Sequence, residues 1–410
     1  MSSVDLQSLV GRIHPDAIGI CARLREASRY GWIVGGCVRD LLLGKEVNDW
    51  DIATSALPEE VMRLFSRVIP TGIEHGTITV VIDGRPFEVT TLREDVETFG
   101  RYANVRFGRD WKADAERRDF TMNALSVTAD GVVHDYVGGL ADLEARRVRF
   151  IGHAEKRIAE DYLRILRFFR FHAAYGHGAI DAVGLHACIA ARAGLEQLSR
   201  ERVRTELLKL LVATNAVPTL AVMAESGLLV PVLGGVPDLA GIANMTKVEA
   251  AAGVQADPVQ RLGALAVRVA EDAERLWQRL RLSNAEHARL ASMGEAWWRV
   301  SPTGEKESRA LFYRLGPEGF VDRVLLAWSR AWPQGEHDAA WHAMASLPSR
   351  WVVPVFPLKA VDFVKRGIAK GPALGAAMRA AEDAWIAADF PGESAAVAAI
   401  ADIAASQEPR

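Results

Sequence analysis

A glycine pair followed closely by two spaced aspartates constrains the fold of this chain more than any other feature. Gly35 and Gly36 come directly after the apolar residues 32–34 and open a predicted helix. Glycine lets a backbone turn sharply and approach a phosphate, and the N–H groups at a helix N-terminus favour an anion. Asp49 and Asp51 lie on a predicted strand, where residues i and i+2 share one face. Their oxygens suit a hard divalent cation, so the sequence predicts an α/β domain that holds a metal ion beside nucleotide phosphates.

A third carboxylate is expected from a neighbouring strand. In the predicted strand 87–92, Phe87, Val89 and Thr91 share one face, and Glu88 lies on the opposite one. Paired carboxylates that bridge two Mg²⁺ ions are suited to in-line phosphoryl displacement. The alternative is a solvent-facing aspartate pair at a strand end, because two aspartates one residue apart are a weak signal without the glycine turn.

A second motif, residues 117–124, reads RRDFTMNA. The guanidinium of Arg118 can neutralise a triphosphate with paired donors. Asp119 or Asn123 is predicted to bond a ribose hydroxyl. The alternative is an ordinary helix start, where an acid such as Asp119 is favourable without any ligand.

A third motif places Asp161, Arg164, Arg167 and Arg170 three residues apart on a predicted helix over 154–175. At this spacing the four side chains form one ridge. A carboxylate accepts from an exocyclic amino group, and a guanidinium donates to the adjacent ring acceptor. Cytosine and adenine present that pattern, whereas uracil and guanine present a carbonyl and would bury unpaired polar groups. The alternative is a solvated Asp161–Arg164 salt bridge of little energetic value.

The order of elements predicts two kinds of structure. Up to about Ile151, short strands alternate with helices, and the predicted strands 77–82 and 87–92 form a hairpin through the Asp-Gly pair at 83–84. The polar segment 94–114 has no periodicity, so we predict a mobile loop. Beyond Gly152 the periodicity is helical, with predicted helices over 154–175, 201–212, 259–279 and 284–300. A turn is expected at Pro391-Gly392 within the Ala-rich end.

Composition excludes some classes of protein. The 410 residues contain no apolar run of membrane-spanning length and no secretion signal at the N-terminus. Three scattered cysteines indicate reduced thiols and a cytoplasmic protein without a disulfide frame. The net charge is −3, but residues 146–172 carry eight Lys and Arg against three acids, as expected of a local polyanion site. The alternative, which composition alone favours, is a solvated charged helix.

Taken in order, these motifs resemble the class II tRNA nucleotidyltransferases, which are the CCA-adding enzymes, and the related bacterial poly(A) polymerases. The resemblance covers about residues 30–211 and includes five ordered motifs: the glycine turn at 35–40, the aspartates at 49–51, and residues 117–124, 135–143 and 160–164. It implies an α/β nucleotidyltransferase head with a mixed sheet at 1–151. A helical neck or RNA-binding region at 152–240 and a helical, tRNA-contacting body and tail at 241–410 would follow.

The resemblance also implies roles for single residues. Asp49 and Asp51 would be catalytic Mg²⁺ ligands, with Glu88 as a further catalytic carboxylate. The expected nucleotide-binding residues are Gly35, Gly36, Arg39, Arg118, Asp119, Asn123, Asp161, Arg164, Arg167 and Arg170. The substrates would be CTP, ATP and the 3′ end of tRNA, with neither DNA nor a membrane as a partner. Arg200, Arg202, Arg204 and Lys209 are candidates for tRNA contacts.

Three alternatives remain open at this point. The segment TGIEHGT at 71–77 and the polar segment 94–114 favour addition of the full CCA sequence. A poly(A) polymerase, or an enzyme that adds only CC or only A, would share most of the motifs. A non-catalytic RNA-binding relative is disfavoured because Asp49 and Asp51 are both present.

Overall fold

The computed structural model describes residues 9–99, 102–302, 304–333 and 339–406. The chain divides into two compact units, residues 1–235 and 236–410. The predicted three-part division at 151/152 and 240/241 stays a prediction. Within the described ranges, no helix is both long and apolar enough to cross a membrane.

The first unit begins with the α/β part of the chain. Its elements are α1 (Pro15–Glu26), β1 (Gly31–Val34), α2 (Gly36–Leu42), β2 (Asp51–Thr54), α3 (Pro58–Leu64), β3 (Val68–Gly72), β4 (Thr77–Ile82), β5 (Arg85–Thr91), β6 (Arg93–Phe99), β7 (Tyr102–Phe107), α4 (Trp111–Glu116), β8 (Ser126–Val127), β9 (Val133–His134) and α5 (Gly139–Glu144). A 3₁₀ turn at Thr121–Asn123 joins α4 to β8. The helices that follow in this unit are α6 (Ala154–Glu160), α7 (Leu163–Tyr175), α8 (Ala182–Ala190), α9 (Arg200–Leu211), α10 (Ala216–Glu225) and α11 (Leu229–Leu233).

Seven of the strands form one mixed sheet in the order β3-β4-β5-β2-β1-β8-β9. Only the β2–β5 pair is parallel. Ile33, Ile52 and Val89 are fully buried in its core. The parallel pair places Asp51 opposite Glu88, so the pairing of β2 with β5 brings two predicted site carboxylates together.

The predicted loop over 94–114 is wrong as secondary structure. Strands β6 and β7 pair antiparallel as a separate two-stranded hairpin, with Arg93 opposite Phe107. Helix α4 follows, and the Asp110 carboxylate caps it by accepting from the N–H groups of Lys112 and Ala113. Residues 93–107 lack the regular alternation of apolar and polar residues by which strands are predicted.

The predicted helix 154–175 is also wrong, because it is two helices. Asp161 has extended backbone angles, φ −156° and ψ 108°, and its carboxylate accepts from the Leu163 N–H. Such local side-chain bonds compete with helical pairing. Likewise the predicted helix 259–279 breaks at Val267–Val269, where both valines are extended, and the predicted helix 284–300 ends at Gly294.

In the described parts of the second unit, all regular secondary structure is helical. Its helices are α12 (Leu239–Ala252), α13 (Pro258–Ala266), α14 (Ala270–Leu280), α15 (Asn284–Gly294), α16 (Glu305–Ala331), α17 (Ala339–Ala345), α18 (Leu347–Arg350), α19 (Ala360–Val364), α20 (Pro372–Ala387) and α21 (Ser394–Ser406). Helix α16 is kinked at Gly316, φ 69°, directly before Pro317. The predicted turn at Pro391-Gly392 is confirmed between α20 and α21.

Candidate active site

A cavity of about 760 Å³ in the first unit collects most of the predicted site residues. It is lined by Gly36, Arg39, Asp49, Asp51, Arg118, Asp119, Asn123, Asp161, Arg164, Arg167 and Arg170. Its lining contains seven arginines and seven acidic residues. Because the two signs balance, any preference for a ligand must come from where the charges lie and which of them are already paired.

The glycine turn lies directly against a motif arginine. Gly35 is the N-cap of α2 with φ +82° and ψ −134°, a conformation that other residues rarely adopt. A Cβ placed on Gly35 would stand 2.7 Å from Arg118 Nη1 and 3.8 Å from Asp51 Oδ2. A side chain at this position would therefore displace the Arg118 guanidinium.

The predicted metal carboxylates lie on adjacent strands. Asp51 begins β2, and Glu88 lies opposite it on β5, although Glu88 does not line the cavity. The predicted face of β5 is confirmed, since Phe87 is buried and Glu88 is exposed. Burial, Glu88 and Asp49 raise the pKa of Asp51 to about 6 against the opposing effect of Arg118. Like charges are thus held close together in the folded protein.

These carboxylates fit a divalent metal ion shared with a substrate. Among the described residues, none of Asp49, Asp51 and Glu88 forms an ion pair with a basic side chain. No group of three or more His, Cys, Asp or Glu in those ranges could hold a metal ion. Mg²⁺ commonly uses one or two carboxylates and completes its shell with waters and substrate phosphates. The Asp49–Asp51 pair supplies the donors for that mode of binding.

The Arg39 guanidinium is almost fully engaged within the protein. Arg39 is 6% exposed. It donates to both Asp40 carboxylate oxygens, to Asn123 Oδ1 at 2.6 Å and to the Tyr175 hydroxyl at 2.7 Å. Its guanidinium carbon lies 3.9 Å from the centre of the Tyr175 ring. Four of the five N–H groups of an arginine are therefore used, and Tyr175 ties the end of α7 to α2.

Asp119 and Asn123 continue this network. Asn123 Nδ2 donates to Asp119 Oδ1 at 3.1 Å, and Arg167 donates to Asp119 Oδ2 at 2.8 and 2.5 Å. Burial alone would raise the pKa of Asp119, but Arg167 and the bonds from Asn123 and the Phe120 N–H lower it. The two predicted ribose-binding side chains thus already have protein partners, and ribose binding by them stays a prediction.

The Asp161–Arg164 salt bridge offered as an alternative is not formed. Asp161 Oδ2 accepts from Arg202 Nη2 at 2.5 Å, and Oδ1 accepts from Arg202 Nη1 at 3.3 Å. Arg164 instead donates to Glu160 Oε2 and to the Arg157 carbonyl. The continuous ridge is also wrong, because Asp161 precedes α7 and is extended. Both side chains still line the same cavity.

Three residues that sequence reasoning did not place at the site contact it from elsewhere. Glu206, 6% exposed on α9, accepts from Arg170 and lies 3.7 Å from Arg167. Arg202, predicted to contact tRNA, is paired with Asp161, and Tyr175 supports Arg39. The only sequence signal for the first two is a pair of opposite charges one turn apart on an amphipathic helix.

The motif at 135–143 is a structural support in the described region. The Asp135 carboxylate accepts from four successive backbone N–H groups, those of residues 137–140. Asp142 is fully buried and accepts from Thr121 Oγ1 at 2.6 Å, and from Arg147 and Arg149. These bonds hold the 3₁₀ turn that carries Asn123.

Comparison with known proteins identifies the family. Residues 31–149 match the family described as "Poly A polymerase head domain". Residues 179–241 match "Probable RNA and SrmB- binding site of polymerase A". The mitochondrial CCA tRNA nucleotidyltransferase 1 of Danio rerio is 37% identical over 365 residues, which are 86% of this chain and 82% of that protein. The CCA-adding enzyme of Limosilactobacillus fermentum is 32% identical over 380 residues, 91% of this chain and 92% of that protein.

A solved structure extends the similarity over nearly the whole chain. The Bacillus stearothermophilus CCA-adding enzyme in complex with CTP superposes with a TM-score of 0.77 and 30% identity. The match covers 96% of this chain and 99% of that one. Enzymes of this nucleotidyltransferase family generally use a divalent metal ion. The chain therefore belongs to the class II CCA-adding enzymes, the tRNA nucleotidyltransferases that build the 3′ CCA end.

Proposed function

We propose that this chain adds C, C and A in turn to the 3′ end of tRNA, with the cavity of the first unit as its single catalytic centre. The 3′-hydroxyl of the RNA attacks the α-phosphate of CTP or ATP. A bond forms between the 3′ oxygen and the α-phosphorus, and the bond from the α-phosphorus to the oxygen that bridges the α- and β-phosphates breaks. The hydroxyl proton passes to water, and pyrophosphate leaves. The observation that carries the proposal is that the Asp49–Asp51 pair, the glycine turn and the Asp161–Arg164 pair all line one cavity.

Asp49 and Asp51 are the proposed ligands for Mg²⁺. The bound ion would supply electrostatic stabilisation of the charge on the reacting phosphates. Glu88 lies opposite Asp51 but outside the cavity lining. We therefore propose that Glu88 acts by electrostatic repulsion of Asp51. This repulsion raises the pKa of Asp51 and favours the binding of a cation beside it.

Arg118 is the proposed contact for the triphosphate. It lies against Gly35, and its two hydrogen bonds to described residues, to Asp114 and to the Asn123 carbonyl, measure 3.3 and 3.4 Å. Those contacts are longer than the usual charge-assisted distance. The guanidinium is thus oriented while donors remain for a substrate, in contrast to Arg39.

Asp161 and Arg164 are the proposed readers of the base. Each has a partner that is not the other, so both can face a nucleobase without first breaking a mutual ion pair. The Asp161 carboxylate accepts three bonds from Arg202 and the Leu163 N–H. Since a carboxylate has about four acceptor sites, roughly one is left for an exocyclic amino group.

Poly(A) polymerase activity is the second candidate, because the family model that matches residues 31–149 is described by that name. The relatives that match most of the chain carry the CCA-adding name instead. Addition of only CC or only A would use the same cavity. We place the tRNA body on the helical part, with Arg200, Arg204 and Lys209 as candidate contacts.

We propose a cytosolic site of action. The support is that Cys21, Cys37 and Cys188 are all buried free thiols, as expected of a protein in a reducing compartment. The two cited relatives include a mitochondrial enzyme, so fractionation of the source cells decides the compartment.

The test is incubation of the purified protein with Mg²⁺ and a tRNA transcript that lacks its 3′ CCA. Labelled CTP alone, ATP alone and then both are supplied, and the products are sized. Two C residues followed by one A and a stop are expected. A long A ladder would establish poly(A) polymerase activity, and CC without A would establish a partial enzyme. No product would indicate the non-catalytic relative.

A further inference from the structure

Asp114 is a buried acid beside the cavity that no motif role explains. It lies on α4 with its side chain 6% exposed and does not line the cavity itself. Arg117 and Arg118, which do line the cavity, follow it by three and four residues. On a helical turn these positions face the same side, so one carboxylate can reach both guanidinium groups.

The two oxygens of Asp114 are divided between the two arginines. Oδ1 accepts from Arg117 Nε at 2.8 Å and lies 2.7 Å from its Nη2, whereas Oδ2 accepts from Arg118 Nη2 at 3.3 Å. Burial would raise the pKa of this carboxyl, but both arginines and their hydrogen bonds lower it. Asp114 therefore stays ionised and fixes two cations at one edge of the cavity.

Arg118 has little else to hold it. Within the described part of the chain, its one other hydrogen bond goes to the Asn123 carbonyl at 3.4 Å. Without Asp114, the guanidinium would be free to swing away from the slot that Gly35 leaves open. The Asp114 carboxylate also neutralises about one of the two positive charges of Arg117 and Arg118. The two arginines then contribute oriented N–H donors and a net charge of about +1.

We infer that Asp114 is a positioning residue that aims Arg117 and Arg118 at the β- and γ-phosphates of the incoming nucleotide. This inference rests on the proposed contact between Arg118 and the triphosphate. In this role Asp114 increases the affinity for the β- and γ-phosphates and does not affect which base is selected. The loss of Asp114 should thus weaken CTP and ATP equally.

The test is Asp114→Asn in the full chain, which keeps the shape and removes the charge. We expect the KM for CTP and ATP to rise about tenfold and the inhibition constant of inorganic pyrophosphate to rise in parallel, with kcat changed less than threefold. Binding of CMP, which has no β- or γ-phosphate, should not change. Asp110→Asn is the matched control, since Asp110 caps the same helix and an amide oxygen accepts the same N–H groups.

A purely structural role for Asp114 would weaken CMP and pyrophosphate alike, which would overturn the inference. Unchanged pyrophosphate inhibition in Asp114→Asn would also overturn it, provided that Arg118→Gln weakens the inhibition. If Arg118→Gln has no effect either, the proposed triphosphate contact itself fails. Adding Asp114→Asn to the variant that carries both Arg117→Gln and Arg118→Gln should not weaken pyrophosphate binding further, because Asp114 acts through these two arginines. Should Asp114→Asn not fold, Asp114→Glu keeps the charge and moves it, and the same selective loss is expected.

Discussion

Two groups of charged side chains at the candidate active site differ in whether their charges are paired within the protein. The carboxylate edge, defined by Asp49 and Asp51 in the cavity and by Glu88 just outside its lining, brings like charges together without a basic ion-pair partner among the described residues. The arginine helix, α7 with Arg164, Arg167 and Arg170, meets an acid at every arginine.

The difference indicates which of the two groups needs a ligand of opposite charge. A cluster of carboxylates is electrostatically satisfied only when a cation joins it, which supports the proposal that the carboxylate edge holds a metal ion. The arginine helix is already neutralised, so its side chains are held in place before a nucleotide arrives. Preorganised groups of this kind need little reorganisation during reaction.

The largest effect is expected at the carboxylate edge. Asp51→Asn should lower Mg²⁺-dependent CMP incorporation by about a thousandfold or more, because it removes a proposed metal ligand. Incorporation of labelled CTP into tRNA measures the effect, and Asp49→Ala should abolish incorporation in the same assay. Full activity of either variant with unchanged folding would disprove the metal assignment.

On the arginine helix, loss of one partner should damage the fold itself. Asp119→Ala leaves Arg167, whose side chain is 32% exposed, without its closest acid, and we expect unfolding to become easier by about 2 kcal/mol. Urea denaturation followed by circular dichroism gives the value, with Glu59→Ala as an exposed control. A change below about 0.5 kcal/mol would show that Glu206, 3.7 Å from Arg167, is a sufficient partner.

Loss of the Asp161 carboxylate should reduce nucleotide selectivity while the protein still folds. Asp161→Ala is expected to reduce the preference for CTP over UTP by about a hundredfold, since a carbonyl in place of an amino group no longer meets a fixed acceptor. The ratio of kcat/KM for the two nucleotides measures it. An unchanged ratio would assign the discrimination to other residues.

The carboxylate edge should also give a pH signature without metal. Because the pKa of Asp51 is raised to about 6 in the folded state, the native state binds this proton more tightly than the unfolded state. The stabilising contribution is complete below the unfolded value near 4 and is lost as pH rises through about 6. In EDTA, the unmodified protein should lose about 2 kcal/mol of its free energy of unfolding between pH 4 and pH 7 through this group. Asp51→Asn should not show that loss. Equal pH profiles for the two proteins would contradict the raised pKa.

The smallest effect is expected at the tie between α7 and α2. Tyr175→Phe removes one hydrogen bond to Arg39 and keeps the ring against its guanidinium, so we expect a loss of about 1 kcal/mol of stability. Thermal unfolding measures it. Tyr30→Phe, an exposed tyrosine, should cause no loss, and an equal shift in both variants would exclude a specific bond.

Much of the fold followed from local patterns. The strand and helix around Gly35, the strand at Asp51, the β4–β5 hairpin and the helical remainder are all confirmed. The β6–β7 hairpin was missed because residues 93–107 lack a regular alternation of apolar and polar residues. The break at Asp161 was missed because a single carboxylate bond to the Leu163 N–H outweighed helical periodicity over the surrounding residues.

By itself, the sequence determined which chemistry the chain can perform. The glycine turn and the Asp49–Asp51 spacing act through the geometry of a few consecutive residues, and local geometry can be read without the fold. The tertiary structure decided which charges remain available. Asp161 meets Arg202 across 41 residues and Arg39 meets Tyr175 across 136. Such pairings depend on how helices pack, and no spacing within a motif encodes the packing.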